Sequence, residues 1–238
     1  MEIDTHCVRA DEEGFKGQIL DVMLKLGYYR TQHLMFTCIQ TQADENSYVI
    51  PVFWLRTNVA TINEHKQARS IRKKCAQFTV NIVPAVVTDE VEALYHLYRH
   101  HVPFNTSDTC TSYLHQPYLD NPFESYMVQV RDGALLIAAG FFDKGSRTIA
   151  GIMNMYHPNY QSFSLGKYLM LQKIDFARAN GIAWYYTGYI STASTRFDYK
   201  TFPDIASVEV YLPVEKKWVP YRFMDKTHLH DYYMNYLV

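Results

Sequence analysis

Apolar and polar positions alternate along the chain with two periods, one near 3.6 and one of 2. Residues 15–26 set Ile19, Leu20, Met23, Leu24 and Leu26 at helical spacing, and Gly27 stops that helix. Residues 33–40 and 47–56 read as strands joined by a polar turn around Asp44–Asn46. Residues 63–74 form a basic helix for which Asn63 is the expected cap, and a short strand at 78–83 runs into Pro84. Thr88 opens the next helix with Asp89 and Glu90 in its first turn. Val91, Leu94, Tyr95 and Tyr98 give that helix one apolar stripe, which Pro103 ends. A second short helix is expected within 107–119. Three strands follow at 125–131, 134–142 and 147–156, with turns at Asp132-Gly133 and Lys144-Gly145. The helix predicted over 165–179 takes Ser164 as its cap and stops at Asn180-Gly181. Met170, Leu171, Ile174 and Ala177 lie on one of its faces and Leu165, Leu169 and Phe176 on another, so it is buried on two sides. A strand at 184–190, a short helix or loop to Lys200, and a hairpin over 207–212 and 217–221 close the chain.

A boundary near residue 83 divides this order into an N-terminal α+β region with the basic helix, 1–83, and a second domain, 84–238. With 48% hydrophobic residues in 238, the chain buries a core without disulfides or metal. Twenty Tyr and thirteen Phe point to mixed polar and aromatic clefts. A net charge of -1 gives no overall attraction to nucleic acid, so RNA contact must come from a local patch, and DNA is not an expected partner. Cys7, Cys38, Cys75 and Cys110 are far apart with no CxxC, which predicts reduced thiols in a cytoplasmic protein and no metal site. No basic start leads into an apolar stretch, and no run approaches the roughly 18 apolar residues of a membrane helix, so neither a secretory signal nor a membrane contact is expected.

From residue 88 the order is two helices, three antiparallel strands, a central helix, a strand, a short helix and a hairpin. That order resembles the GNAT acyltransferase fold. The resemblance implies an α/β (α+β) architecture with a mixed, mostly antiparallel sheet. It also implies that the strands before and after the central helix splay apart. The gap then admits an acyl donor whose phosphates face the helix N-terminus.

Residues 162–200 carry a narrower resemblance. Ser164-Leu165-Gly166 with Tyr168, then Gly188-Tyr189, then Tyr199-Lys200 resemble the C-terminal domain of the aminoacyl-tRNA–protein transferases, the arginyl- and leucyl-transferases of the N-degron pathway. Arg196-Phe197 stands where that family has Lys-Met, and Ser194 where it has a small Ser or Cys. Upstream, Leu26-Gly27-Tyr28-Tyr29-Arg30 is similar to the family's Gly-Phe-Arg-Arg segment, and the stretch from Gln67 to Lys73 to its Gln-Arg-Arg-x-x-Lys-Arg, with Ala68 for one Arg. Two departures are clear. Of the family's N-terminal cysteine cluster only Cys38 remains, and Thr201-Phe202-Pro203 replaces further basic residues.

Ser164, Leu165, Gly166, Lys167 and Tyr168, with Gly188, are the expected donor-binding residues, because a helix start offers free amides and a positive dipole end. Tyr189, Ser194, Tyr199 and Lys200 are the expected catalytic group: Tyr189 to hydrogen-bond the acyl carbonyl or leaving oxygen, Lys200 to hold a phosphate or steady an oxyanion. The alternatives are a core tyrosine and a surface lysine. Lys66, Arg69 and Lys73, bordered by Arg72 and Lys74, form the candidate contact to a tRNA backbone, against an ordinary solvated helix face. His157 is the best histidine for a base but also sits in a turn signal. His96 and His100 have metal-ligand spacing without a third ligand, and Asp175 and Asp198 read as solvated carboxylates. The expected reaction is attack of a protein's N-terminal α-amine on the ester of an aminoacyl-tRNA, with no cofactor. The alternatives are a GNAT acetyltransferase using acetyl-CoA on a small amine, and a catalytically silent GNAT-like binding module. The segment Gln161–Gly166 does not fit the usual CoA loop, which favours tRNA. Nothing in the sequence reads the moved amino acid or the accepting residue.

Overall fold

A computed structural model describes residues 5–9, 14–42, 49–103, 106–114 and 121–237. In chain order the elements are β1 (Thr5–Arg9), α1 (Gly17–Lys25), β2 (Tyr29–Thr31), β3 (Leu34–Cys38), β4 (Gln40–Gln42), β5 (Val49–Asn58), α2 (Lys66–Cys75), β6 (Thr79–Pro84), α3 (Asp89–His101), α4 (Thr111–Leu114), β7 (Ser125–Asp132), β8 (Leu135–Lys144), β9 (Thr148–Tyr156), α5 (Leu165–Ala179), β10 (Trp184–Ser191), β11 (Val208–Leu212), β12 (Lys217–Pro220) and α6 (Lys226–Tyr236). None of these helices is long and apolar enough to cross a membrane.

The large sheet runs β12-β11-β5-β10-β9-β8-β7-β6, with β4 added to β5, and β1-β3-β2 form a separate small sheet. Every pairing is antiparallel except β9 with β10. Period-2 alternation sends side chains to opposite faces. Val128, Val130 and Phe142 pack under α5 and α2, while Met127, Ala139 and Phe141 pack under α3 and α4. On β5, Val52 and Trp54 meet α1, while Phe53 and Leu55 meet α6. Helix α5 is buried on two sides as its pattern requires, from Leu165 through Ala177.

Several expectations are corrected here. Strands β5 and β6 belong to the same sheet as β7–β12, so the expected division into 1–83 and 84–238 does not separate two layers: the sheet crosses it. The apolar run 33–40 splits, because Leu34–Cys38 pairs in the small sheet and Gln40–Gln42 pairs with β5. The expected turn at Asp44–Asn46, and the end of the 107–119 helix, lie outside the described residues. Asn63 does not cap α2. His65 holds that position, and the Asn63 amide donates to Asp204 Oδ2 at 3.0 Å. Ser164 precedes α5 but makes no side-chain cap. Its φ is 56°, and its carbonyl accepts from the amides of Lys167 and Tyr168 as a 3₁₀ turn runs into the helix. Thr88 caps α3 as expected, accepting from the Val91 amide at 3.4 Å.

Candidate active site

The site arises where the two central strands part. Strands β9 and β10 pair only through Trp184–Thr148, Tyr185–Ile149 and Tyr186–Ala150. Beyond those pairs β10 stays on β5 with a shift at Gly188, and β9 stays on β8 with a shift opposite Phe141 and Phe142. Two cavities open at this divergence. The first, about 450 Å³, is walled by Ile152–Asn154 and Tyr156 of β9, by Ser164, Leu165, Gly166 and Lys167 at the start of α5, and by Tyr98, Arg196, Phe197 and Tyr199. The second, about 360 Å³, is walled by Tyr29, Arg30, Phe36 and Trp54, by Tyr113, by Ala150–Ile152, and by Gly188, Tyr189 and Lys200. Ile152 borders both. A 3₁₀ turn over Asp198–Thr201 stands between them, sending Tyr199 to the first and Lys200 to the second.

The first cavity opens on the start of α5. The amides of Leu165 and Gly166 lie in the first turn of α5, where no intrahelical acceptor exists. Gly166 leaves the backbone open, since a Cβ there would meet only Tyr156 at 3.9 Å. Lys167 Nζ donates to Gln67 Oε1 at 3.2 Å, tying the mouth to α2. At the back, the Asn154 carboxamide donates to the Gly166 carbonyl at 3.3 Å and accepts from Lys173 Nζ at 2.8 Å. Lys173 is buried and also donates to the Phe141 carbonyl at 2.8 Å. Burial lowers it to about 7, against the pull of Asp143.

Lys200 lines the second cavity. Its Nζ sits 4.4 Å from the centroid of the Tyr189 ring and 5.0 Å from that of Phe197. Burial, reinforced by the charge of Arg196, lowers its ammonium to about 7. Tyr189 packs edge-on against Trp54 and Phe197, so it buttresses the lysine. Gly188 has φ 107°, and a Cβ there would lie 2.7 Å from Lys200 Nζ. Gly188→Ala is therefore expected to destabilise the protein by about 1–3 kcal/mol and to displace the lysine; a thermal melt and a turnover assay check the two effects separately.

Arg30 anchors the wall opposite. Its Nη1 donates to Asp143 Oδ1 at 2.7 Å and to Ser125 Oγ at 2.9 Å, and its Nε donates to the Gln32 carbonyl at 2.8 Å. The pair is 3% and 0% exposed, so it joins β2 to β8 through the interior.

The expected site residues divide. Ser164, Leu165, Gly166, Lys167 and Tyr199 meet in the first cavity, Tyr189 and Lys200 in the second. Gly188, expected beside the donor, lines the second cavity instead. Tyr168 turns into the core, because one helical turn carries it under α2. Ser194 lines neither cavity: its hydroxyl accepts from the Arg196 amide at 3.2 Å and its carbonyl from Lys226 Nζ at 2.7 Å, which fixes the loop. Arg72 is not a phosphate ligand, since Glu64 and Asp175 hold its guanidinium at 2.6–2.8 Å. This also corrects Asp175, and Asp198 pairs with Lys226. Lys66, Arg69 and Lys73 are exposed, but the groove leading to Ser164 is lined by Lys66, Gln67, Ser70 and Lys74. His157 accepts from the Asn159 amide at 3.2 Å, as a turn residue does. Arg30, Trp54, Asn154 and Lys173 were missed. The available signals were a lysine inside the apolar pattern of α5 and, for Arg30, its place in the Leu26–Arg30 segment.

A splayed, mostly antiparallel sheet with a helix start aimed at the opening defines a GNAT-like acyltransferase fold. Residues 90–204 match the family "Arginine-tRNA-protein transferase, C terminus". It is 25% identical over 150 residues to an aspartate/glutamate leucyltransferase of Gluconobacter oxydans, covering 61% of this chain and 62% of the relative. It is 30% identical over 104 residues to arginyl-tRNA–protein transferase 1 of Arabidopsis thaliana, covering 42% of this chain and 16% of the relative. The chain thus spans less than two thirds of the length of either. Among solved structures, FemX aligns with a TM-score of 0.45 at 10% identity, over 81% of this chain and 65% of that one.

Proposed function

We propose that the protein transfers an aminoacyl group from aminoacyl-tRNA to the N-terminal α-amine of an acceptor protein. The observation that carries this reading is the parting of β9 from β10, which opens one cavity at the α5 amides and a second at Lys200. In this reading the terminal nucleotide of the donor lies at Ser164–Lys167, and the anionic backbone behind it follows the groove lined by Lys66 and Lys74. The acceptor enters through the second cavity. The aminoacyl ester is already activated, and about a tenth of an ordinary α-amine is neutral at pH 7. The enzyme therefore has mainly to align the reactants and remove one proton. The amine nitrogen bonds to the ester carbonyl carbon, the C–O bond to the tRNA ribose breaks, and the proton of the attacking nitrogen passes by way of neutral Lys200 to the leaving oxygen. The Tyr199 hydroxyl, on the donor side, holds the acyl oxygen.

The test is transfer of labelled amino acid from charged tRNA to peptides differing in the first residue. Labelling at the α-amine is expected. No labelling with any charged tRNA, or labelling from acetyl-CoA instead, overturns the reading. Lys66→Ala/Lys74→Ala should weaken tRNA retention and reduce its log–log salt slope by about 2, while Arg69→Ala/Lys73→Ala should change both less.

A further inference from the structure

Asn154 lines the first cavity from β9, and two residues of α5 hold its side chain. Its carboxamide nitrogen donates to the Gly166 carbonyl at 3.3 Å, and its oxygen accepts from Lys173 Nζ at 2.8 Å. Gly166 and Lys173 are seven residues apart, so two turns of α5 set them on one face. Lys173 Nζ also donates to the Phe141 carbonyl of β8 at 2.8 Å. An amine keeps two N–H bonds even when neutral, so both acceptors are served in either protonation state. The donating amine also fixes which way the carboxamide turns, oxygen to the lysine and nitrogen to the helix. Strand β8 clears the space. Gly140 lies opposite Asn154, and a Cβ there would stand 2.7 Å from Asn154 Oδ1. A continuous chain thus runs from β8 through Lys173 and Asn154 to the first turn of α5, beside the amides of Leu165 and Gly166. Lys173 is 1% exposed, and its neighbours on that face, Leu169, Met170 and Ala177, are apolar. A methionine there would bury a similar stem without desolvating an amine. Core packing does not call for a lysine at this position, whereas holding a carboxamide does.

Resting on the transferase reading above, we propose that Lys173 and Asn154 are positioning residues for the donor: through the Gly166 carbonyl they fix the α5 start against β9, and with it the affinity for charged tRNA. The test measures retention of charged tRNA by the wild type, Lys173→Met, Asn154→Leu and the double variant across a range of tRNA concentrations. Each single change should raise the Kd by about tenfold, and the double should raise it no further, because the links act in series. The number of tRNA molecules bound per protein should stay at the wild-type value. KM for charged tRNA should rise with the Kd, while kcat changes less. An unchanged Kd in both single variants overturns the proposal, and so do effects that multiply in the double. Fewer sites at an unchanged Kd also overturns it, since that marks a loss of folded protein and not of positioning. All three results leave the transferase reading standing. That reading fails instead when wild-type protein retains charged tRNA but labels no peptide. No retention by the wild type overturns both.

Discussion

Lys200→Met is expected to slow aminoacyl transfer by about a thousandfold, with little change in KM for charged tRNA. The reason is its setting. Burial and the neighbouring Arg196 charge both favour the neutral amine, which brings the lysine to about 7. A base acts in its deprotonated form, so the wild-type rate should rise as pH rises through about 7. A second, higher inflection should come from the acceptor amine, ordinarily about 7.7–8.0. The variant should lose the lower inflection and keep the upper one. Lys200→Arg should not restore the rate, because a guanidinium stays protonated throughout this range. Single-turnover rates across pH for the three proteins decide the matter. A Lys200→Met profile that still bends near 7 would remove the lysine from the proton path.

The largest stability effect should come from the Arg30–Asp143 pair. Arg30→Met leaves a carboxylate buried without its guanidinium, at a cost of about 3–5 kcal/mol. Burial already raises the Asp143 carboxyl, and Arg30 is the strongest group opposing that rise. Removing both charges together, as Arg30→Met/Asp143→Leu, should recover much of the loss, since two apolar side chains leave no uncompensated charge. Urea unfolding of the two variants measures this. Equal destabilisation by the single and the double change would show that shape, not charge, holds β2 against β8.

The elements legible in the sequence were those with strong local periodicity. Helix α5 was read at its observed length because apolar residues on two faces and the Asn180-Gly181 stop are local signals. The strands β7, β8 and β9 were legible for the same reason, through alternation and Gly-containing turns. Strands β1, β2 and β4 were not, because three to five residues give too little alternation and their pairing is tertiary. Helix α6 was missed because aromatic and polar residues are mixed around it, with only Leu229, Tyr232 and Tyr233 buried. At the candidate site, the helix start and the Tyr199-Lys200 pair stand in the sequence as a motif. What a motif cannot state is which side of a sheet each residue faces. Tyr199 and Lys200 are adjacent in sequence yet line different cavities, and Gly188 lines the second rather than the first. Likewise, helical spacing grouped Lys66 with Arg69 and Lys73. Only the position of α2 against Ser164 selects Lys66 and Lys74, and only Glu64 and Asp175 remove Arg72 from solvent duty.

Where β10 leaves β9 it keeps its bonds to β5 as far as Ser191, so the cleft is cut beside a strand that is still clamped along its other edge. Openness and stiffness are thereby uncoupled. The loop residues 192–195 line neither cavity and can vary while the strands that frame the cleft stay fixed. A scaffold arranged in this way can change that segment without first having to refold.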